Sequence, residues 1–147
     1  MTKSILLCGV GGQGTVKASR IIALSGMEAG LNARTAETIG MAQRGGSVVS
    51  HVRISDQPIY SPLIPKHTAD VLIAFEPAEA VRCIDYVKDD GVIIVNKKAV
   101  TPVTASLSGS SYDGTEAIKY LQDNFSHVKV IDGDAICEKC GSDRVLN

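Results

Sequence analysis

The stretch Ser4-Ile5-Leu6-Leu7-Cys8-Gly9-Val10-Gly11-Gly12-Gln13-Gly14 decides how the rest of the chain is read. Ile5, Leu6 and Leu7 form an apolar run with no helical period. The run breaks into glycines, and an amphipathic segment follows at once. A buried strand feeding a glycine turn and then a helix is the opening unit of a doubly wound α/β domain. Gly9 allows the tight turn, Gly11 allows close approach of a ligand to the backbone, and Gly14 lets the helix lie near the strand. Amide N–H groups at the start of a helix lack intrahelical partners and face the positive end of its dipole, so such a turn suits an anion. The motif alone leaves two readings open, a purely structural turn and a binding one.

Working outward, the apolar residues Ala18, Ile21, Ile22 and Ala29 recur at helical spacing between Thr15 and Ala29, and Gly30 is a stop signal. A second extended piece spans Asn32–Thr38. Glu37 follows Gly14 by close to the interval at which a dinucleotide-binding domain places the acid for the ribose hydroxyls. A solvent-facing strand end is the competing reading. The loop Gly40-Met41-Ala42-Gln43-Arg44-Gly45-Gly46 comes next, with Arg44 set among glycines that leave its fork free for a phosphate or carboxylate. Ser47–Ile54 alternates as a strand, with Val48, Val52 and Ile54 on one side and Val49, His51 and Arg53 on the other. The interval between these two strands is too short for a crossover helix.

Pro58, Pro62 and Pro65 make the segment from Ile59 to Thr68 irregular. Asp70–Phe75 reads as a buried strand ended by Glu76-Pro77. A helix follows with the stripe Ala80, Cys83, Ile84 and Val87, ended by Asp89-Asp90-Gly91, and Val92–Val95 is the next strand. Lys97–Ser111 is rich in Ser, Thr, Gly and Lys, the composition of a mobile or partner-ordered loop. Asp113-Gly114-Thr115-Glu116 has capping-box spacing with Asp113 as N-cap, opening a helix with Ile118, Leu121 and Phe125 on one face. Val128–Ile131 is a last short strand, and Asp132 or Asp134 caps a final helix. Strand–helix alternation with short turns predicts a Rossmann-like, layered αβα fold with a mostly parallel sheet, in one domain over residues 1–147.

Composition narrows the function classes. The chain has 147 residues, 44% hydrophobic and 21% charged, with no tryptophan, so Val, Ile, Leu and Ala must fill the core. A formal net charge of −1 gives no electrostatic case for nucleic acid or an anionic membrane. No apolar run approaches a membrane span, and Met1-Thr2-Lys3 enters a strand directly, unlike a signal peptide; a cytoplasmic protein is the expectation. Cys8 and Cys83 read as small buried residues. Cys137-Glu138-Lys139-Cys140 is a C-x-x-C without a second pair of ligands, and His127 is alone. A bland helical pair is the reading, over zinc or redox use, and no metal residues are assigned.

Gly9-Val10-Gly11-Gly12-Gln13-Gly14, Gly40-Met41-Ala42-Gln43-Arg44-Gly45-Gly46-Ser47-Val48 and Ser50-His51-Val52-Arg53-Ile54 together closely resemble the gamma-type subunit or domain of 2-oxoacid:ferredoxin oxidoreductases. Within that family the likeness is to the indolepyruvate type, and it covers most of the chain. It implies a complex that oxidatively decarboxylates a 2-oxo acid, forms the acyl-CoA and passes electrons to ferredoxin. Thiamine diphosphate and iron–sulfur clusters are then held mainly by a catalytic partner subunit. This chain lacks a cluster-type run of cysteines and an acidic pyrophosphate motif, so the resemblance implies no cofactor bound by it alone, no catalytic residue and no activity in isolation. It further implies that Gly11, Gly12, Gln13 and Gly14 form a backbone cradle for an anion such as a coenzyme A phosphate, with Arg44 reaching toward the partner or an anionic group. It weakens the dinucleotide reading, Glu37 included. Typical members continue past the position of Asn147, so a C-terminally short, divergent or fragmentary member is implied. The alternative of a different class is a free-standing NAD- or FAD-type nucleotide-binding module, and a third is a subunit whose glycine turn binds nothing.

Overall fold

The computed structural model describes residues 1–40, 45–101 and 111–141. The element order is β1 (Thr2–Val10), α1 (Thr15–Glu28), β2 (Asn32–Ile39), β3 (Ser47–Ser55), β4 (Ala69–Ala74), α2 (Pro77–Cys83) with a single 3₁₀ turn over Ile84–Tyr86, β5 (Val87–Asn96), α3 (Thr115–Asn124), β6 (Val128–Ile131) and α4 (Gly133–Lys139). The six strands form one sheet in the order β2-β3-β1-β4-β5-β6. β1, β4, β5 and β6 pair in parallel, whereas β3 runs antiparallel to both β1 and β2. Every strand but β3 therefore points the same way, and the layered, mostly parallel α/β fold expected from the sequence is the one observed. The short link from β2 to β3 makes a hairpin, as its length requires.

Alternation along β1 divides the core in two. Leu7 joins Ala23, Val52 and Phe75 beneath α1. Leu6 and Cys8 face the other way, into a larger cluster with Leu72, Ala80, Cys83, Ile93, Val95 and Leu121 beneath α2 and α3. Leu6, Leu7, Leu72, Ile93 and Leu121 are fully buried, each contributing roughly 1.5–3 kcal/mol by removal from water. A helix on each face explains why the central strands are apolar on both sides.

Several local readings change. α1 buries half of the expected stripe: Ala18 and Ile22 pack, partly buried, beside Thr15, Ser19, Ala23 and Gly26, which face the sheet, whereas Ile21 and Ala29 lie outside. Small inward residues let the helix lie close, with Gly26 against Ile54. Gly30, at φ 80°, closes the helix: its N–H donates to Met27 O and that of Leu31 to Gly26 O, a Schellman ending. α2 stops at Cys83, and Asp89-Asp90-Gly91 is not its end. These residues instead form an irregularity inside β5, where the register with β4 jumps from Ala69↔Val87 to Val71↔Val92. Lys88 ion-pairs there with Asp70 and Asp90. The capping box at Asp113 does not form. Gly114, at φ 79°, is the N-cap of α3, and the Asp113 carboxylate accepts from the Thr115 N–H two residues on, a local turn bond. Asp132 does cap α4, accepting from the Ala135 N–H.

His51 on β3 anchors the proline-rich segment: its Nδ1 accepts from the Ile64 N–H at 3.2 Å, and the ring meets Tyr86 edge-on. Burial holds its pKa below the ordinary value of 6.5. The folded state prefers the neutral ring, so the stabilisation is complete above pH 6.5 and is lost as pH falls through the lowered folded value. Urea midpoints measured between pH 7.5 and 5 are expected to fall more steeply for the wild type than for His51→Gln. Equal slopes would remove this assignment.

Candidate functional site

The carboxyl ends of β1 and β4 lie side by side, with α1 leaving to one face of the sheet and α2 to the other. That is the switch point at which open α/β sheets place their ligands. Gly9 there has no room for a side chain: an added Cβ would meet Gln13 Oε1 at 2.8 Å, Thr15 Oγ1 at 2.9 Å and Phe75 Cβ at 3.0 Å. Gln13 turns inward, its Oε1 accepting from the Val10 N–H at 2.7 Å and its Nε2 donating to Phe75 O at 3.1 Å. The side chain thus spans the crevice between the two strands. The Gly11 N–H donates to Gly46 O and the Gln13 N–H to Val10 O. Of the four residues expected to form an anion cradle, Gly11 and Gln13 therefore have their amides bound within the chain. Gly12, at φ 100°, and Gly14, at φ 85°, do not within the described residues. Arg44 lies outside the described residues.

The anion-facing geometry sits one step further along. α1 begins at Gly14 with no capping side chain and no acid in its first turn, leaving the amides of Gly14, Thr15, Val16 and Lys17 without helical partners. Beside them is a cleft of about 420 Å³ lined by Gly12, Gly14, Thr15, Lys17, Arg20 and Val48, among others. Thr15 is 2% exposed, and its Oγ1 has no hydrogen-bond partner among the described residues. Among the described residues Lys17 and Arg20 form no ion pair. Thr15, Lys17 and Arg20 escaped the sequence reading, which stopped at the last glycine of the motif.

On the α2 side the rim is closed by two carboxylates. Glu76, 1% exposed, is the N-cap of α2. It accepts from the Glu79 N–H at 3.0 Å, the Tyr112 O–H at 2.7 Å and the Val100 N–H at 3.4 Å. Tyr112 also accepts from the Ala78 N–H, and burial together with the Glu76 carboxylate pushes its hydroxyl pKa well up. Glu79 accepts from Ser47 Oγ and pairs with Arg82 Nε at 3.6 Å. These bonds tie the root of the 40–46 loop and the segment around Val100 and Tyr112 to one helix end.

A dinucleotide fits this rim badly. Gln13 spans the crevice, a buried carboxylate stands beside it, and β3 separates β2 from β1. Glu37 is thus two strand spacings from the glycine turn, roughly 9–10 Å; it is an exposed residue of the edge strand. Cys137 is buried, Cys140 is exposed, and both are free thiols. Among the described residues no three His, Cys, Asp or Glu side chains converge as metal ligands, and no helix is long and apolar enough to cross a membrane.

The fold and rim thus define a Rossmann-like α/β domain whose switch point is stapled internally and whose first helix presents bare amides and cations. The chain belongs to the pyruvate ferredoxin/flavodoxin oxidoreductase family, whose sequence model matches residues 4–147. It is 44% identical over 143 residues to the indolepyruvate oxidoreductase subunit IorB of Archaeoglobus fulgidus, covering 97% of this chain and 70% of that one. It is 36% identical over 132 residues to IorB of Pyrococcus horikoshii, covering 90% and 65% respectively. The chain thus spans about two-thirds of the length of these curated relatives. Its fold matches part of the 2-oxoglutarate:ferredoxin oxidoreductase from Magnetococcus marinus, with a TM-score of 0.69 at 20% identity over 99% of this chain and 22% of that one. A free-standing NAD- or FAD-type module finds no support in these likenesses.

Proposed function

We propose that this chain is the non-cofactor-bearing subunit of a thiamine-diphosphate-dependent 2-oxoacid:ferredoxin oxidoreductase acting on indolepyruvate or a related 2-oxo acid. The observation that carries the reading is the 44% identity to an IorB subunit across nearly the whole chain. Thiamine diphosphate and iron–sulfur clusters, held by the catalytic partner subunit, supply decarboxylation and electron transfer to ferredoxin. The role assigned to this chain's own residues is binding. The amides of Gly12, Gly14 and Thr15, the Thr15 hydroxyl, Lys17 and Arg20 receive an anionic group, a coenzyme A phosphate in this reading, and Arg44 is assigned from its sequence motif to the partner subunit or an anionic group. The unpartnered Thr15 Oγ1 beside a bare helix start supports that placement. The Magnetococcus enzyme was solved with coenzyme A bound.

Chain purified with its catalytic partner is expected to turn over indolepyruvate with coenzyme A and ferredoxin, and chain alone is expected to be inactive. In the complex, Arg20→Ala and Thr15→Val should each raise KM for coenzyme A by about tenfold while leaving KM for the 2-oxo acid unchanged, as loss of a charge-assisted bond implies. Unchanged coenzyme A kinetics in both variants would remove the anion site. Micromolar NAD binding by the isolated chain would remove the subunit assignment.

A further inference from the structure

α1 is amphipathic in the inverse sense. It buries small residues and leaves Ile21 47%, Leu24 58% and Met27 57% exposed in a row at i, i+3 spacing on its outer side. The row runs into a groove of about 410 Å³ at the start of edge strand β2, where Met27 and Leu31 face Tyr60 across the backbone of Asn32–Arg34. Tyr60 is 96% exposed, the kind of large amphipathic side chain that anchors interfaces. The charges beside this groove are unbalanced. Arg34 stands directly opposite Arg53 in the β2–β3 register, a like-charge pairing that destabilises a sheet unless an acid relieves it. Among the described residues neither arginine forms an ion pair, whereas Lys3, Lys66, Lys88 and Lys97 each do. Arg53 donates to Ser61 O, next to Tyr60, but its Nε is buried without a partner among the described residues.

We infer that this groove docks a segment of the partner subunit carrying an apolar anchor side chain flanked by a carboxylate. The anchor seats over the open edge of β2, with Met27 and Leu31 on the α1 side and Tyr60 on the other, and the carboxylate meets Arg34 and Arg53 on the Tyr60 side. A second copy of this chain fits less well, because the groove lining offers these arginines no acid. The inference rests on the proposed subunit role only for the identity of the partner. It concerns the amino-end side of the sheet, away from the anion cleft.

The test uses the tagged full chain expressed in its native host, with co-purifying thiamine diphosphate and iron as the readout. Wild type is expected to bring down a chain carrying both. Leu24→Asp with Met27→Asp, and separately Arg34→Glu, should lower that yield at least tenfold without lowering the melting temperature, Arg34→Glu if anything raising it by relieving the pairing with Arg53. Arg34→Lys should retain most of it, and Ile136→Asp, an exposed apolar position on α4, should retain all of it. If wild type captures such a chain and Arg34→Glu captures it equally well, the docking site is overturned. Loss with Ile136→Asp as well would also overturn it, since the effect would not belong to this face. If wild type captures no thiamine-bearing chain, it is the subunit assignment that fails. Isothermal binding of an indolepyruvate-complex catalytic subunit purified separately, compared between wild type and Arg34→Glu, then decides the groove on its own.

Discussion

Replacing Glu76 by alanine lowers the stability of the fold by about 4 kcal/mol, the largest effect expected of any polar substitution in this chain. The carboxylate is 1% exposed and receives the Tyr112 O–H and the N–H groups of Glu79 and Val100. Truncation removes the N-cap of α2, itself worth roughly 0.5–2 kcal/mol. It also strands two further donors, the Tyr112 O–H and the Val100 N–H, each costing roughly 1–3 kcal/mol where water cannot reach, and leaves a void. For a chain of this length the melting temperature should fall by about 10–15 °C. Glu76→Gln keeps one acceptor oxygen for Tyr112 but turns an amide N–H₂ toward the Glu79 N–H, so about half the loss is expected. Tyr112→Phe spares the helix cap and should cost about 1–2 kcal/mol, as its lost partners are fewer. Urea unfolding of the three variants checks the order. A loss under 1 kcal/mol for Glu76→Ala would show that the network is not what holds α2 to the segment around Val100 and Tyr112.

The sequence carried the architecture because its signals were local. An apolar run into glycines, helical spacing after Pro77, and a link too short for a crossover each follow from chain geometry alone. What it could not carry was depth on the outside of a helix. Ile21 and Ile22 sit at adjacent positions, and period alone does not say whether Ala18–Ile22 or Ile21–Leu24 faces the sheet. The answer lies in the small residues Thr15, Ser19, Ala23 and Gly26, which permit close packing but register weakly on any apolar scale. The candidate site divides in the same way. The glycine turn was legible, but not that Gln13 would fold back onto Phe75, a residue 62 positions away. Glu76 was visible as the residue before Pro77, and its N-cap bond to the Glu79 N–H is local; the second bond, from the Tyr112 O–H, arrives from across the fold and no local pattern announces it. Glu37 is the solvent-facing strand end that stood against a ribose role; that β3 inserts beside β1 is a matter of pairing, which spacing from Gly14 cannot detect.

Gly9→Val is the second large effect, expected at about 3 kcal/mol, with Gly9→Ala at about 2 kcal/mol. The argument is one of space. Gly9 is paired with Val48 on β3, and the three atoms nearest an added Cβ lie at 2.8–3.0 Å. None moves freely: Gln13 is held at both ends, by the Val10 N–H and Phe75 O, and Phe75 belongs to the core beneath α1. Relief therefore requires breaking the Gln13 staple or shifting α1 at Thr15, and either disturbs the rim. Gly12 provides the contrast. An added Cβ there meets nothing within 4 Å, but φ is +100°, so Gly12→Ala should lose only the roughly 1–2 kcal/mol of a left-handed backbone. A Gly9→Ala/Gln13→Ala double variant separates the two causes: if the staple is what the methyl strikes, the second substitution should recover part of the loss from the first. Strict additivity in the double variant would mean that the crowding at Gly9 is not what closes the switch point.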